Sequence, residues 1–238
     1  MMRFYFVIIA SIIPIIYFVL KCHYIERHSD KYSVKDRYKL AIYACRVIRK
    51  RSFITTKFFG QENLPKDGGY IMYPNHQGKY DAVGIMLGHE DPCSIVIDEE
   101  RSRSFVLNEF TEVLKGKRLN KSDIRGQISI IQEVANDVSN GKRYILFPEG
   151  GYEDVTSNEV KEFMAGAFKA ATKAQCPIVP VALIDSYKPF SINSIKHVTT
   201  QVHFLEPISY DSYKDMNTQE ISDMVRNTII KKIEEVLA

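Results

Sequence analysis

Residues 69–81 read GYIMYPNHQGKYD, an apolar run followed directly by polar and charged residues. The first six residues form a short apolar run of the kind found in buried strands. His76 and Asp81 follow that run directly. Because open α/β sheets bind their ligands beyond the carboxyl ends of the strands, the stretch places a candidate site at the end of a predicted strand.

Outward from this stretch, apolar strands alternate with amphipathic helices. The predicted strands are 54–60, 69–74, 94–98, 143–147, 177–184 and 199–205, and the predicted helices are 102–115, 123–140, 159–175 and 218–237. The clearest helix has Asp123 at its start and Gly141 just past its end, which are good start and stop residues. The alternation predicts an α/β domain with a mixed, mostly parallel central sheet flanked by helices.

The first sixty residues differ from the rest in charge and in hydropathy. They hold twelve Lys/Arg and three Asp/Glu, a net charge of +9, whereas residues 61–238 have a net charge of −6. Residues 4–20 carry no charge, and as a helix they would be roughly 25 Å long, just short of the ~30 Å hydrocarbon core. We therefore expect residues 1–22 to be an uncleaved membrane anchor, kinked at Pro14, that spans the bilayer or lies in its interface. A cleaved signal peptide is the alternative, although the run is longer than the usual apolar region of a signal peptide and no A-x-A-like cleavage site follows it.

Residues 23–52 form a second N-terminal segment, predicted to be a basic amphipathic helix that associates with the membrane. Its apolar positions recur at steps of three and four: Val34, Tyr38, Ala41, Ile42, Cys45 and Ile48. Basic residues flank this stripe, which suits a phospholipid surface of negative charge. The alternative is a helix packed on the domain with a solvated charged face. If residues 4–20 span the bilayer, the basic excess after them puts the catalytic-size body, residues 53–238, on the cytoplasmic side.

Other kinds of partner are disfavoured by the composition. No recognition-helix, zinc-finger or RNP-type signature accompanies the basic charge, so we expect no nucleic acid partner. The four cysteines are too far apart in sequence for a CxxC or a metal-finger pattern, and the histidines do not cluster. The sequence therefore predicts neither a bound metal nor a disulfide framework.

His76 and Asp81 are the first candidate catalytic residues. In a regular helix they would point about 140° apart, but they can meet if His76 lies in the turn and Asp81 in the first helical turn. Asp81 would then accept a hydrogen bond from Nδ1–H of the imidazole and leave Nε2 as a general base. No Ser or Cys nucleophile accompanies the pair, and the GxGxxG, GxxxxGK[ST] and GxSxG patterns are absent from the sequence. The alternative is that Asp81 only caps the helix and His76 is a partly buried turn residue.

Two more features lie on or just after predicted strands. Residues 147–151 read FPEGG, and glycines at a strand exit let a substrate approach the backbone, whose free N–H groups can hold a phosphate. Pro180 lies within the apolar run at 177–184. Because proline cannot donate to a central ladder, it indicates an edge strand, a bulge or a ligand-facing break.

Taken in order, NHxxxxD at 75–81, FPEG at 147–150 and V-P-V at 179–181 resemble the motifs of the glycerolipid acyltransferases, most closely the 1-acyl-glycerol-3-phosphate acyltransferases. The resemblance covers about residues 50–210. It implies transfer of a fatty acyl group from a thioester co-substrate, acyl-CoA or acyl carrier protein, to the free hydroxyl of a lysophospholipid such as 1-acyl-glycerol-3-phosphate. It also implies a membrane surface as the place of reaction and no further cofactor.

The resemblance assigns roles to single residues. It makes His76 the general base and Asp81 its orienting partner, and it implies acceptor binding by Glu149 and Gly150. It assigns three further residues either to binding of the acyl donor or to support of the motifs: Asn75, Pro148 and Pro180.

The chain departs from the family pattern at two motifs. The second motif usually ends in an arginine for the acceptor phosphate, whereas here Lys121 ends the stretch GKRLNK, with Arg118 nearby. Lysine neutralises phosphate as a point charge but lacks the bidentate fork. After FPEG the family often has Thr or Ser and then Arg, whereas this chain has Gly151 and Tyr152. Two other functions stay open: a thioesterase or lipid hydrolase that uses the same His–Asp pair, and a non-catalytic lipid-binding protein.

Overall fold

The computed structural model describes residues 2–152 and 155–238 as one α/β domain with N-terminal helices. The strands are β1 Ile54–Phe59, β2 Tyr70–Pro74, β3 Ser94–Asp98, β4 Lys117–Leu119, β5 Arg143–Ile145, β6 Ile178–Ile184 and β7 Val198–Phe204. The helices are α1 Met2–Ala10, α2 Ile12–Arg27, α3 Val34–Arg51, α4 Asp81–Gly88, α5 Glu99–Ser102, α6 Leu107–Val113, α7 Ile124–Ser139, α8 Lys169–Ala174, α9 Lys188–Ser191 and α10 Thr218–Leu237.

The seven strands form one sheet in the order β1-β7-β6-β2-β5-β3-β4. All neighbouring pairs are parallel except β6 and β7, which are antiparallel. The predicted mixed, mostly parallel sheet is therefore confirmed. Since β1 and β7 run opposite to the other strands, the first residues of β1 and β7 lie at the same edge as the carboxyl ends of β2, β5 and β6.

Strands β2 and β6 lie inside the sheet and are buried at every position. Alternate residues of these strands point to opposite faces of the sheet, and each face is covered by its own hydrophobic core. Met72 and Val179 pack with α3, α4 and α6, whereas Ile71 and Ile178 pack with α7, α8 and α10. The near-continuous apolar sequence of these two strands follows from this burial on both faces.

Two predicted helices differ from the structure. The helix expected at 102–115 is found only as α6, which begins at Leu107, because α5 ends at Ser102 and Val106 takes a backbone conformation with φ of +73°. The helix expected at 159–175 exists only in its second half. Val160 and Phe163 are buried from a non-helical segment, and Met164 N–H donates to the Pro148 carbonyl at 2.8 Å. Val160 and Phe163 are therefore spaced as in a helix, but they belong to a non-helical segment that is hydrogen-bonded to the loop after β5.

Helices α1 and α2 replace the single kinked helix expected over residues 4–20. They meet at Ser11 and are bent by 68°, so the break does not fall at Pro14. Pro14 lies in the first turn of α2, where its missing N–H costs no helical hydrogen bond. No single described helix is long and apolar enough to cross a membrane, although α1 and α2 together satisfy that criterion by length and composition.

Helix α3 packs its apolar stripe on the domain. Tyr38, Ala41 and Cys45 are buried, and Ser33 and Asp36 form a capping box at its start. The stripe therefore belongs to the protein core, as in the alternative drawn from the sequence, and the basic residues of the last turn are left on the outer side. The predicted boundary at residue 22 falls inside α2 rather than between two elements.

Pro180 lies in an interior strand, which excludes an edge strand as the reason for a proline at this position. It is aligned with Tyr73 of β2. On its other side, Ile178 pairs with Ile208 and Val181 pairs with Phe204, so three steps along β6 match four steps along the partner segment. One extra residue opposite Pro180 makes a β-bulge, which is one of the three situations that a proline in a strand indicated.

Candidate active site

The stretch after β2 turns directly into α4, and this turn brings His76 and Asp81 together. Asp81 is the first residue of α4, so its side chain can reach the backbone N–H groups of the turn. The imidazole Nδ1 of His76 lies 2.7 Å from Asp81 Oδ2. The predicted placement of the pair, one residue in the turn and one in the first helical turn, is confirmed.

Asp81 is completely buried and accepts four hydrogen bonds. Its Oδ2 accepts from Nδ1–H of His76 and from the backbone N–H groups of Gln77 and Gly78, at 2.6 and 2.8 Å. Its Oδ1 accepts from the Ser186 hydroxyl at 2.5 Å. Because an ionised carboxylate only accepts, the proton of the neutral imidazole lies on Nδ1 and the lone pair on Nε2.

The imidazole ring of His76 is enclosed but reachable. It stacks on Phe147 at 4.0 Å between ring centroids, and Tyr152 meets it edge-on at 4.5 Å. The side chain is 14% exposed. Within the described residues, Nε2 accepts no hydrogen bond, so this nitrogen can take a proton from a bound group.

Two hydrogen bonds join Asn75, at the start of the turn after β2, to the neighbouring strand β6. It is completely buried, donates from Nδ2 to the Leu183 carbonyl at 3.1 Å, and accepts at Oδ1 from Leu183 N–H at 2.7 Å. This pair of bonds continues the β2–β6 ladder by one side chain. Asn75 therefore fixes the point at which His76 leaves the sheet, which is a supporting role.

Glu149 lies beside the pair because β5 is the sheet neighbour of β2. Its Oε1 accepts from the His76 backbone N–H at 3.0 Å, and its Oε2 is buried with no hydrogen-bond partner among the described residues. Burial raises the pKa of Glu149 to about 7, and the Asp81 carboxylate adds to this increase, while the His76 N–H and the nearby Lys161 oppose it. Glu149 therefore joins the loop after β5 to the turn after β2 through Oε1 and presents a second, buried oxygen beside the pair.

We expect Glu149→Gln to stabilise the protein increasingly as pH rises. In the folded state Glu149 keeps its proton up to about pH 7, whereas the unfolded chain releases it near pH 4.5, so the wild type loses stability across that window. The variant does not titrate there, so its free energy of unfolding should gain about 3 kcal/mol on the wild type between the two pH values. Denaturant titrations at several pH values measure this difference.

Glu206→Gln is the matched control, since Glu206 is exposed and distant from the pair in sequence. Its difference from the wild type should show no such rise. A pH-independent difference for Glu149→Gln would show that the carboxyl group is already ionised at pH 5 and would remove it as a buried acid.

Gly150 and Pro148 shape the loop after β5. Gly150 has φ of +70°, and a Cβ there would lie 2.7 Å from Met164 Cε, so only glycine fits without strain. Pro148 accepts from Met164 N–H through its carbonyl. The Pro148–Met164 hydrogen bond holds the loop against the segment before α8, next to the point where Glu149 accepts from the His76 N–H.

The two candidate cations lie in different surroundings. Lys121 Nζ lies 3.2 Å from Asp98 Oδ2 and 3.7 Å from the position of a Cβ on Gly151, so it reaches the loop after β5. Arg118 has each of its three guanidinium nitrogens bound, to Ser102, Asn108 and Glu112. Lys121 is therefore available to a ligand at this edge of the sheet, whereas Arg118 is held by its own neighbours.

Some residues of the site were not predicted. Gln77 and Ser186 are buried around Asp81, and Phe147 and Tyr152 contact the His76 ring. Ser186 follows β6 by two residues, so its place beyond a strand end was the signal that could have found it. Within residues 2–152 and 155–238, no three His, Cys, Asp or Glu side chains are grouped as metal ligands.

Comparison with known proteins gives one consistent result. A family model described as "Acyltransferase" matches residues 55–184. The 1-acyl-sn-glycerol-3-phosphate acyltransferase of Saccharomyces cerevisiae is 27% identical over 188 residues, which cover 77% of this chain and 61% of that protein. The Escherichia coli protein of the same name is 27% identical, covering 71% of this chain and 69% of its own.

The solved structure of the 1-acyl-sn-glycerophosphate acyltransferase PlsC from Thermotoga maritima has the same fold. It has a TM-score of 0.76 at 22% identity and covers 100% of this chain and 95% of its own. This chain spans about three-fifths of the length of the yeast relative. The family model covers more than half of the chain and includes both His76 and Glu149. The chain belongs to the acyltransferase family.

Proposed function

We propose that this protein transfers a fatty acyl group from an acyl thioester, acyl-CoA or acyl carrier protein, to the free hydroxyl of a lysophospholipid. We take 1-acyl-glycerol-3-phosphate as the acceptor, which gives phosphatidic acid for phospholipid synthesis. The observation that carries the proposal is the His76–Asp81 pair, whose Nε2 is free and has no protein nucleophile hydrogen-bonded to it among the described residues. The relatives in yeast and E. coli bear the name of this activity.

In the proposed mechanism His76 acts as a general base and then as a general acid. Nε2 takes the proton of the acceptor hydroxyl while its oxygen attacks the thioester carbonyl and forms a new C–O bond. The tetrahedral intermediate then breaks its C–S bond, and His76 returns the proton to the departing thiolate. Asp81 stabilises the imidazolium between the two steps. No acyl-enzyme intermediate is needed, because the acceptor oxygen is the nucleophile.

Lys121 is the proposed partner of the acceptor phosphate. It reaches the loop after β5 and is 49% exposed, and its present partner Asp98 can share the ammonium group with a phosphate. Free N–H groups of the glycine-rich loop add donors for the same oxygens. We leave Arg118 out of this role, because a phosphate would have to displace Glu112, Asn108 and Ser102 from it.

We expect Lys121→Ala to raise the acceptor KM about tenfold with little change in the donor KM, because a charge-assisted contact is lost. Steady-state kinetics with each substrate varied in turn measure this. Lys142→Ala is the matched control: Lys142 has similar exposure and bonds a carboxylate, but it lies at the amino end of β5, away from the pair. An acceptor KM equal to that of the wild type would exclude Lys121 from the phosphate site.

We further propose that α1 and α2 place this site at a membrane surface. Their outer sides expose large apolar residues, among them Ile9 at 74%, Ile13 at 77% and Leu20 at 64%. The Lys79 ammonium, from the turn between His76 and Asp81, lies 4.4 Å from the centre of the Phe4 ring of α1. A lipid acceptor at that surface would thus be next to the pair.

Replacing Ile9 and Ile13 by Ser should release the protein from anionic phospholipid vesicles. Co-sedimentation of the folded variant and of the wild type measures this. Sedimentation equal to the wild type would contradict a membrane contact through α1 and α2.

A donor-by-acceptor panel tests the reaction itself. The purified chain is given labelled acyl-CoA or acyl carrier protein, with and without 1-acyl-glycerol-3-phosphate. We expect labelled phosphatidic acid that depends on the acceptor. Equal release of free fatty acid without the acceptor would point to a thioesterase instead, and vesicle binding with no turnover of either donor would leave a lipid-binding protein.

A further inference from the structure

Ser186 lies outside every motif of the sequence and touches the buried half of the catalytic pair. It follows the end of β6 by two residues, and its hydroxyl donates to Asp81 Oδ1 at 2.5 Å. Ser186 is 3% exposed and Asp81 is fully buried. Oδ2 of the same carboxylate receives His76 and two backbone N–H groups, so Ser186 alone binds Oδ1 among the described residues.

A strained backbone brings Ser186 to this place. Asp185, the residue before it, has φ of +61°, a left-handed conformation that costs a non-glycine residue about 1–3 kcal/mol. Asn158 holds Asp185 in this conformation, accepting from its N–H at 2.7 Å and donating to its carboxylate at 3.0 Å. Lys188 binds the other carboxylate oxygen at 2.7 Å. Such strain persists only where the surroundings fix it, which is common around functional groups.

Gln77 completes a ring of contacts between Ser186 and Asp81. The backbone N–H of Ser186 donates to Gln77 Oε1 at 2.8 Å, and the backbone N–H of Gln77 donates to Asp81 Oδ2 at 2.6 Å. Gln77 also donates from Nε2 to Asn158 at 3.0 Å. The turn after β2, the loop after β6 and the segment after FPEG are thus joined through one polar network, which is buried at Gln77, Asp81 and Ser186 and half-buried at Asn158.

We propose that Ser186 is a positioning residue that holds the Asp81 carboxylate in the plane where Oδ2 faces His76 Nδ1. The inference rests on the proposed function, since its consequence is the orientation of the general base. Without the hydroxyl, Oδ1 is left buried and without a donor, so the carboxylate lowers its free energy by turning toward another N–H. His76 then loses the partner that fixes its tautomer and its ring.

Kinetics separate this role from a purely structural one. We expect Ser186→Ala to lower kcat about 30-fold, the loss expected for one hydrogen bond to a charged group, with the acceptor KM within about twofold of the wild type. Ser186→Thr keeps the hydroxyl and should recover most of kcat if it folds. Ser222→Ala is the matched control, since Ser222 is 1% exposed, donates to the Phe163 carbonyl and lies on α10. It should keep the kcat of the wild type.

A second measurement does not depend on turnover. In protein carrying ¹⁵N-labelled histidine, the wild type should show a strongly deshielded Nδ1–H proton that is missing in His76→Ala. This proton should move upfield and exchange faster in Ser186→Ala but not in Ser222→Ala. If both the signal and kcat of Ser186→Ala equal those of the wild type, the positioning role is wrong. If the wild type transfers no acyl group, the proposed function fails, and the signal alone decides the role of Ser186.

Discussion

His76→Ala should lower kcat for acyl transfer about 10³-fold, which is the usual contribution of a positioned general base. The acceptor KM should change little, because the imidazole bonds Asp81 rather than the proposed phosphate ligand Lys121. The residual rate then reflects only the binding of donor and acceptor side by side. Single-turnover measurements with labelled acyl donor and saturating acceptor isolate this step from product release.

His203→Ala serves as the histidine control. His203 is mostly buried and stacks on Phe59 at 4.4 Å, at the edge of the sheet opposite the pair. Its loss should reduce the melting temperature without changing kcat of the folded fraction. A His76→Ala protein that retains a tenth or more of the wild-type kcat would show that another group removes the hydroxyl proton.

The architecture could be predicted because apolar runs and their spacing depend on local burial. The runs at 69–74 and 177–184 proved to be interior strands, and Asp123 and Gly141 bound a helix as their residue types indicated. The helix at 159–175 failed because Val160 and Phe163 repeat at three residues in a non-helical segment. Spacing alone does not show whether such residues reach the core from a helix or from a non-helical segment, which here is hydrogen-bonded to Pro148.

The candidate site could be predicted only where its partners are near in sequence. His76 and Asp81 are five residues apart, so a turn suffices to join them. Ser186 contacts Asp81 across 105 residues, and Asn75 contacts Leu183 across 108. Those contacts depend on β6 lying beside β2, an order of strands that the alternation of strands and helices does not specify.

The basic N-terminal quarter divides into two parts with different structural roles. Arg3 is buried and donates to the carbonyls of Pro189 and Lys196, so this charge in α1 holds the helix against the segment that follows Ser186. The apolar stripe of α3 lies in the core, whereas exposed apolar residues are concentrated on α1 and α2. The net charge of +9 is therefore not carried by surface residues alone, since Arg3 and Arg37 are buried, and the apolar contact with lipid is proposed for the two helices before α3.

Asp81→Asn should be nearly as damaging as the loss of His76, although it changes a single oxygen into an amide nitrogen. The carboxylate accepts from His76, Gln77, Gly78 and Ser186. An asparagine has one acceptor oxygen, and three N–H donors meet at Oδ2, so this oxygen should take that side while the NH₂ group faces the Ser186 hydroxyl, which can accept. The imidazole then keeps its proton on Nδ1, but it loses the negative charge that stabilises the imidazolium formed when Nε2 takes the hydroxyl proton.

We expect kcat to fall about 10²- to 10³-fold, because the imidazolium formed during the reaction loses its carboxylate partner. We also expect a stability loss of about 1–3 kcal/mol, because a neutral amide oxygen accepts these buried hydrogen bonds more weakly than a carboxylate. Asp81→Glu keeps the charge but lengthens the side chain, so it distinguishes the geometry of the pair from its charge. ¹⁵N spectra of His76 should show the proton on Nδ1 in both proteins, with a less deshielded Nδ1–H proton in Asp81→Asn. If Asp81→Asn keeps a kcat within about threefold of the wild type, then Asp81 only caps α4, and the general base is oriented by other contacts, such as the stacking of His76 on Phe147.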